Sequence, residues 1–144
     1  MPDFTNPVDS PTEWVADHIK SYVESDGAEG HMWRGVPTLL LTTIGRKSGQ
    51  ARRSALIYGK DGDRYVIVGS RGGAPTHPQW FLNLRDNPEV ELQVGAEKFR
   101  ARARIASGGE RQRLFEMMAG VFPNYREYAA KTSREIPVVV LDPA

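Results

Sequence analysis

The stretch "ALIYGKDGDRYVIVGS", Ala55–Ser70, decides the fold. Two apolar runs, "RSALIYG" and "DRYVIVGS", flank "KDGD", and an Asp-Gly step between such runs is a strong β-hairpin signal. A hairpin here puts antiparallel strands in the middle of the chain. Upstream, "PTLLLTTIG" (Pro37–Gly45) is apolar and then Thr-rich, which reads as another strand. Downstream, "EVELQVG" and "EKFRARARIAS" alternate strictly around a "GAE" turn. Arg100, Arg102 and Arg104 fall on one face, read as the solvated side, and Ala101, Ala103 and Ile105 on the other. The last apolar run, "IPVVVL" (Ile136–Leu141), suits a buried strand.

Helices punctuate these strands. Met1–Asp9 is Pro/Asp/Asn-rich and reads as loose. Ser10, Pro11 and Glu13 have the spacing of a capping box, and Trp14, Val15, Ile19, Tyr22 and Val23 follow at helical period until "SDGAEG". A short helix is expected between Pro78 and Asn87, capped by Thr76 or His77 and stopped by Pro88. Ser107 and Glu110 open a third helix, with Leu114, Phe115, Met118, Val121 and Phe122 on its apolar face, and Pro123 ends it. The order is helix, antiparallel strands with an inserted helix, helix, strand. That is an α+β domain on a curled antiparallel sheet or small barrel. Residues 1–35 read as tail and covering helix, and 36–144 as the barrel of a single domain.

At 144 residues the chain is one domain by length, and it contains no cysteine. Disulfides, thiolate nucleophiles and cysteine-held metals are therefore excluded. The formal net charge is only +1, yet Gly30–Lys60 carries six Lys/Arg and no acid. A polycation that seeks nucleic acid is not expected, whereas a local anion site is. The start lacks a basic region followed by an apolar run, and no apolar stretch is long enough to span a bilayer. A cytoplasmic protein without a transmembrane segment is expected, with peripheral membrane contact left open.

Three segments offer chemistry. "GRKSG" (Gly45–Gly49) is not a P-loop, because Gly45 stands only two residues before Lys47. It is a glycine-flanked turn where Arg46, Lys47 and Ser48 could hold phosphate or carboxylate, with Arg52 and Arg53 close behind. Taken alone, its composition favours the reading as a solvated basic turn. "GSRGGAPTHPQW" (Gly69–Trp80) lets backbone approach a ligand and adds donors from Ser70, Arg71 and a helix start. There His77 is either an acid/base group or a cap. Tyr125 and Tyr128, three residues apart, share a helical face and are either packing residues or phenols that meet a developing oxyanion. His18, His31 and His77 are scattered without metal-ligand spacing, and no metal is expected.

Together, "TTIGRKSGQARRSALIY", "VIVGSRGGAPTHPQWFLNLRDNPEVELQV" and "FPNYREYAAKTSREIPVVVLDP" resemble the deazaflavin-dependent nitroreductase family of actinobacteria, reductases that use reduced coenzyme F420. The resemblance runs from Leu39 to Pro143. It implies a split β-barrel of the FMN-binding-like type and a cofactor with a flat deazaflavin, a phosphodiester and an oligoglutamate tail. By resemblance Arg46, Lys47, Ser48 and Arg52 hold the anionic tail. Arg53, Ser54, Ala55, Leu56 and Ile57 line the ring, facing Val68, Gly69, Ser70 and Arg71, with Gln79, Trp80 and Asn83 from the inserted helix. Ser70, Tyr125 and Tyr128 stand on the catalytic side. Some members carry a further tyrosine where this chain has Phe122.

The implied reaction is hydride transfer to a small electron-poor acceptor, a quinone, nitroaromatic or enone, with a proton from Tyr125 or water. An FMN-dependent flavin reductase and a non-catalytic deazaflavin carrier are the rival readings. Monomer and homodimer are both open.

Overall fold

The computed structural model describes residues 2–144. In chain order the elements are β1 (Val8–Asp9), α1 (Glu13–Glu24), β2 (Met32–Trp33), β3 (Val36–Ile44), β4 (Ala51–Ile57), β5 (Gly59–Asp61), β6 (Arg64–Val68), α2 (Gln79–Asp86), β7 (Glu89–Val94), β8 (Glu97–Ile105), α3 (Gly108–Val121), α4 (Asn124–Lys131) and β9 (Val138–Pro143). The strands form a curled sheet in the order β1-β4-β3-β7-β8-β9-β6-β5, with β2 attached to β3. β3 is its centre: it pairs with β4 on one edge and β7 on the other, and it is buried from Thr38 to Ile44.

The Asp-Gly hairpin forms, but its first arm changes partner. Across the Gly62-Asp63 turn, Asp61 pairs with Arg64 and Gly59 with Val66, and Gly62 takes φ 65°. The residues before Tyr58, expected in the same arm, belong instead to β4 and pair with β3 up to Thr38↔Ile57. At Tyr58 the chain crosses over. Its N–H donates to the Pro37 carbonyl at 3.2 Å, and from Gly59 onward it pairs with β6. The Tyr58 ring anchors this crossing, edge-on to Tyr65 at 5.5 Å and sharing a hydrogen bond of 2.9 Å with His31 Nε2. Continued at the same register, the hairpin would pair Ile57 with Val68 and Ala55 with Ser70, yet no ladder forms there. The barrel is closed at the hairpin end and split at the other.

Two clusters of buried side chains fill the interior. One joins Leu39, Leu41, Ile67, Leu92, Val139 and Leu141 under α2. The other joins Val66, Val138, Val140, Leu114, Phe115 and Met118 under α3 and includes Tyr125 of α4. The alternation of β8 holds through Ala103, which is buried, but Ile105 is 45% exposed where β8 ends. Arg104 is not free on its face: it pairs with Glu110 at 2.6 Å and Asp142 at 3.2 Å.

The N-terminal segment is tied down rather than loose. β1 runs parallel to β4, Arg53 pairs with Asp9 at 2.6 Å, and Phe4 is buried. The expected capping boxes are absent. Ser10 accepts only from the Thr12 N–H at 3.3 Å, so α1 starts at Glu13 after Thr12. Ser107 does precede α3, but Glu110 is drawn to Arg104 instead of back to the cap.

Ile19 and Tyr22 bury α1 against β3 and β4, and Trp14 stays 60% exposed. The Tyr22 hydroxyl donates to the Thr38 carbonyl at 3.0 Å and accepts from the Gly95 N–H at 2.7 Å. One phenol thus joins α1, β3 and the β7–β8 turn. At Gly27, φ is 84° and a Cβ would lie 2.4 Å from the Gly95 Cα, so the α1 terminus meets this turn backbone to backbone.

Tyr22→Phe keeps the ring and strips these hydrogen bonds. It should cost about 1–3 kcal/mol in denaturant unfolding, as expected when buried polar groups lose their partner. Gly27→Ala, which adds both a clash and a left-handed backbone penalty, should cost more. An unchanged midpoint for Tyr22→Phe would refute the staple.

Candidate functional site

The split in the barrel is a cavity. Ala55, Leu56 and Ile57 of β4 line one side, Val68 and Ser70 the other, and the volume is about 290 Å³. These are the residues the hairpin register would have zipped together. Trp14, Val15 and His18 of α1, Trp33 of β2, Phe122 after α3, and Tyr125 and Tyr128 of α4 complete the wall. The rings form a chain: Trp14 stacks on Trp33 at 6.2 Å, Trp33 meets Phe122 at 6.4 Å, and Phe122 meets Tyr125 edge-on at 5.2 Å. Such a slot suits a flat, apolar ring.

Tyr125 is 5% exposed, and its hydroxyl has no protein partner although it is not sealed from solvent. It opens on the cavity. Burial, helped by the neighbouring Tyr128, pushes its pKa well above the ordinary phenol value of 10.0. The group stays protonated and can donate a hydrogen bond, but it is a weak acid.

A second cavity of about 550 Å³ adjoins the first and shares Arg71, Pro78 and Trp80 with it. Its lining differs in kind: Arg46, Lys47, Ser48, Arg52, Arg53, Ser54, Gln79 and Asn83. Arg53 is already paired with Asp9. Among the described residues, Arg46, Lys47, Arg52 and Arg71 pair with no carboxylate. Buried Asn83 shapes the basic turn. Its Oδ1 accepts from the Arg46 N–H at 3.2 Å and Nη1 at 3.0 Å, while its Nδ2 donates to Thr43 Oγ1 at 3.3 Å. Cations without acid partners around one concavity attract an anion.

Between the cavities runs the Ser70–His77 loop. Arg71, Gly72 and Gly73 form a 3-10 turn, all with positive φ of 47°, 62° and 83°. His77 does not cap α2, whose cap is Pro78. Its Nδ1 instead accepts from Arg134 Nη1 at 3.0 Å, which fixes the neutral tautomer with the proton on Nε2. Burial first, then Arg134 and Arg85, lower the His77 pKa below its ordinary 6.5.

The structure therefore gathers the residues singled out in the sequence, but in two groups. Ala55, Leu56, Ile57, Val68, Ser70, Tyr125 and Tyr128 face the apolar cavity. Arg46, Lys47, Ser48, Arg52, Arg53, Ser54, Gln79 and Asn83 face the basic one, and Arg71 and Trp80 face both. Gly69 lines neither: its N–H donates to the Pro137 carbonyl at 2.9 Å, and a Cβ would lie 2.8 Å from Pro137 Cγ. Sequence reasoning missed the roof of Trp14, His18 and Trp33, which only folding of α1 over the seam assembles. It also missed Arg134, an unremarkable cation in "KTSREIP".

A family model described as F420H(2)-dependent quinone reductase matches residues 14–143. An F420H(2)-dependent quinone reductase of Mycobacterium tuberculosis (strain ATCC 25618 / H37Rv) is 41% identical over 128 residues, 86% of each chain. A solved F420-H2 dependent reductase, FDR-A, is 37% identical with a TM-score of 0.69, over 74% of this chain and 94% of its own. A second solved structure, described as a domain-swapped dimer, is 36% identical with a TM-score of 0.72, over 92% of this chain and 100% of its own. The fold agrees with these solved relatives. The chain belongs to the F420H(2)-dependent quinone reductase family, and it is an oxidoreductase that takes reduced coenzyme F420 as its cofactor.

Proposed function

We propose that this reductase reduces a quinone in the aromatic slot, with the F420 ring entering at the seam and its anionic tail lying in the basic cavity. The observation that carries this reading is the junction of two unlike cavities at Arg71, Pro78 and Trp80. A flat head with a charged tail matches that pair. Neither FMN dependence nor a carrier role is favoured by the family. FMN has no polyanionic tail to occupy the row of free cations.

Bound reduced F420 supplies a hydride to the acceptor. The chain supplies binding, orientation and a dry slot. Lys47, Arg52 and Arg71 neutralise the tail, while Arg46, held by Asn83, keeps the basic turn in shape. Beyond β1, the outer edge of β4 has no ladder partner, so Ser54–Ile57 offer free backbone donors and acceptors to the ring's polar edge. Tyr125 donates a hydrogen bond to the oxygen that becomes negative as hydride arrives. Its raised pKa makes full proton transfer to a quinol oxygen, an ordinary phenol of about 10, uphill. Tyr125 therefore acts by stabilising the developing charge, and the net proton comes from bulk solvent, where a quinolate of pKa about 10 is protonated at neutral pH. Tyr128, beside it at 6.4 Å, borders the acceptor. With Phe122 in place of a third phenol, the acceptor side is more apolar and suits a quinone over a nitroaromatic.

We also read the protein as a homodimer, since a relative of similar length and 36% identity is described as a domain-swapped dimer. Light scattering at working concentration tests this. Among the described residues no helix is long and apolar enough to cross a membrane.

Oxidation of the reduced deazaflavin, followed by its absorbance with menadione, a nitroaromatic and a coumarin-type enone, tests the acceptor. Menadione should be preferred, and no turnover with any quinone would sink the proposal. Lys47→Ala with Arg52→Ala should weaken F420 binding about 5- to 30-fold, for about 1–2 kcal/mol, and less at high salt. The saturated rate should hardly change. Tyr125→Phe should bind F420 normally and lose about 10²-fold in kcat. Equal turnover would remove Tyr125 from the chemistry.

A further inference from the structure

Arg134 stands between α4 and β9, outside both cavities, yet its guanidinium grips the loop that separates them. Nε donates to the Ala74 carbonyl at 2.9 Å, Nη2 to the Ser70 carbonyl at 2.7 Å, and Nη1 to the Gly69 carbonyl at 3.1 Å and His77 Nδ1 at 3.0 Å. Among the described residues it pairs with no carboxylate. A half-buried cation spent on three backbone carbonyls and one imidazole of a single loop is a shaping device rather than an ion-pair partner.

The loop it shapes is where β6 leaves the sheet. Ser70 takes φ −73° and ψ −37°, helical where an extended residue would continue toward β4. The next residues are left-handed, and for Arg71, φ 47°, that conformation is disfavoured by about 1–2 kcal/mol. Strain of this kind persists only where surrounding contacts over-determine it. Arg134 provides such contacts on one side. On the other, Gly73 lies so close to α4 that a Cβ would come 2.9 Å from the Tyr128 carbonyl. The turn is thus wedged between Arg134 and the helix that carries Tyr125 and Tyr128.

We infer that Arg134 is the positioning residue of this reductase: it holds the end of β6 away from β4, keeps the seam open, and sets Ser70 and Arg71 against cofactor and acceptor. This rests on the assignment of the two cavities to F420 and quinone. A planar fork of five donors is needed to span three carbonyls and an imidazole; the point charge of lysine cannot do so. His77 completes the cage only while Nδ1 keeps its lone pair. The groups that face it are Arg134 from the loop before β9, Arg85 of α2 and the Phe81 ring at 4.8 Å. Protonation of His77 would set a third cation among them. The neutral form is favoured in the fold, so loop order is complete above the ordinary histidine pKa of 6.5 and declines as pH falls below it.

The test uses the full chain as Arg134→Lys, Arg134→Ala and His77→Gln. Circular dichroism and thermal unfolding report the fold, amide exchange of residues 69–77 reports the loop, and F420 titration and menadione reduction report function. Arg134→Lys should stay folded, exchange faster over 69–77, and lose about 10- to 100-fold in kcat/KM, with kcat itself reduced at saturating cofactor. Millimolar ethylguanidinium should restore part of the rate to Arg134→Ala and none to Arg134→Lys. His77→Gln, whose side-chain carbonyl accepts without titrating, should flatten the wild-type loss of affinity below pH 6.5. Wild-type exchange and kinetics in Arg134→Lys would overturn the role. So would collapse of the whole fold, which would make Arg134 a general structural residue. Wild-type protein that binds no F420 would instead overturn the cavity assignment, and amide exchange would still decide Arg134.

Discussion

The strand that changes partner at Tyr58 is the constraint from which the rest of the molecule follows. Up to Ile57 the chain is committed to β3; from Gly59 it is committed to β6. The outer edge of β4 stays free over Ser54–Ile57 because β6 forms no ladder with it beyond the crossing, so the barrel closes where β5 meets β6 and opens where β4 and β6 diverge. The buried Tyr58 ring, packed on Tyr65 and bonded to His31, makes that crossing a fixed point. The site is the consequence: four residues that an uninterrupted hairpin would have paired now line a slot.

An open seam has to be roofed and held apart. α1 roofs it, carried there by the Tyr22 phenol and by the close approach of Gly27 to Gly95. α4 contributes the phenols, and Arg134 restrains the loop at the end of β6. These are polar contacts of modest individual strength, each made at a buried or half-buried point where losing the partner costs more than making it gains. The cations of the second cavity behave oppositely. Several are left without carboxylates, which leaves local positive charge facing a concavity and thus a standing attraction for an anionic ligand.

Period and punctuation carried much of the fold. The alternation of Glu97–Ala103, the apolar β3 and β9, the Asp-Gly turn and the proline stops all appear as read, because each depends on neighbours within a few residues. The capping boxes failed for a tertiary reason. Glu110 has a better partner in Arg104, and the Ser10 region is drawn onto β4 by Asp9 and Arg53. His77 failed as a cap for the same kind of reason, since Arg134, distant in sequence, claims its ring.

By itself the sequence determined the strand-rich α+β class, the basic turn at Arg46–Arg53, the paired phenols and, through the ordered segments, the F420-linked family. These rest on local spacing and on residue identity. Only the tertiary structure decided that the central hairpin arm splits, that the cations form one cavity and the aromatics another, that Gly69 is packing rather than lining, and that Arg134 reaches the carbonyls of the loop between them. Those outcomes depend on which distant strand wins each backbone hydrogen bond, and that competition is settled by packing across the whole chain.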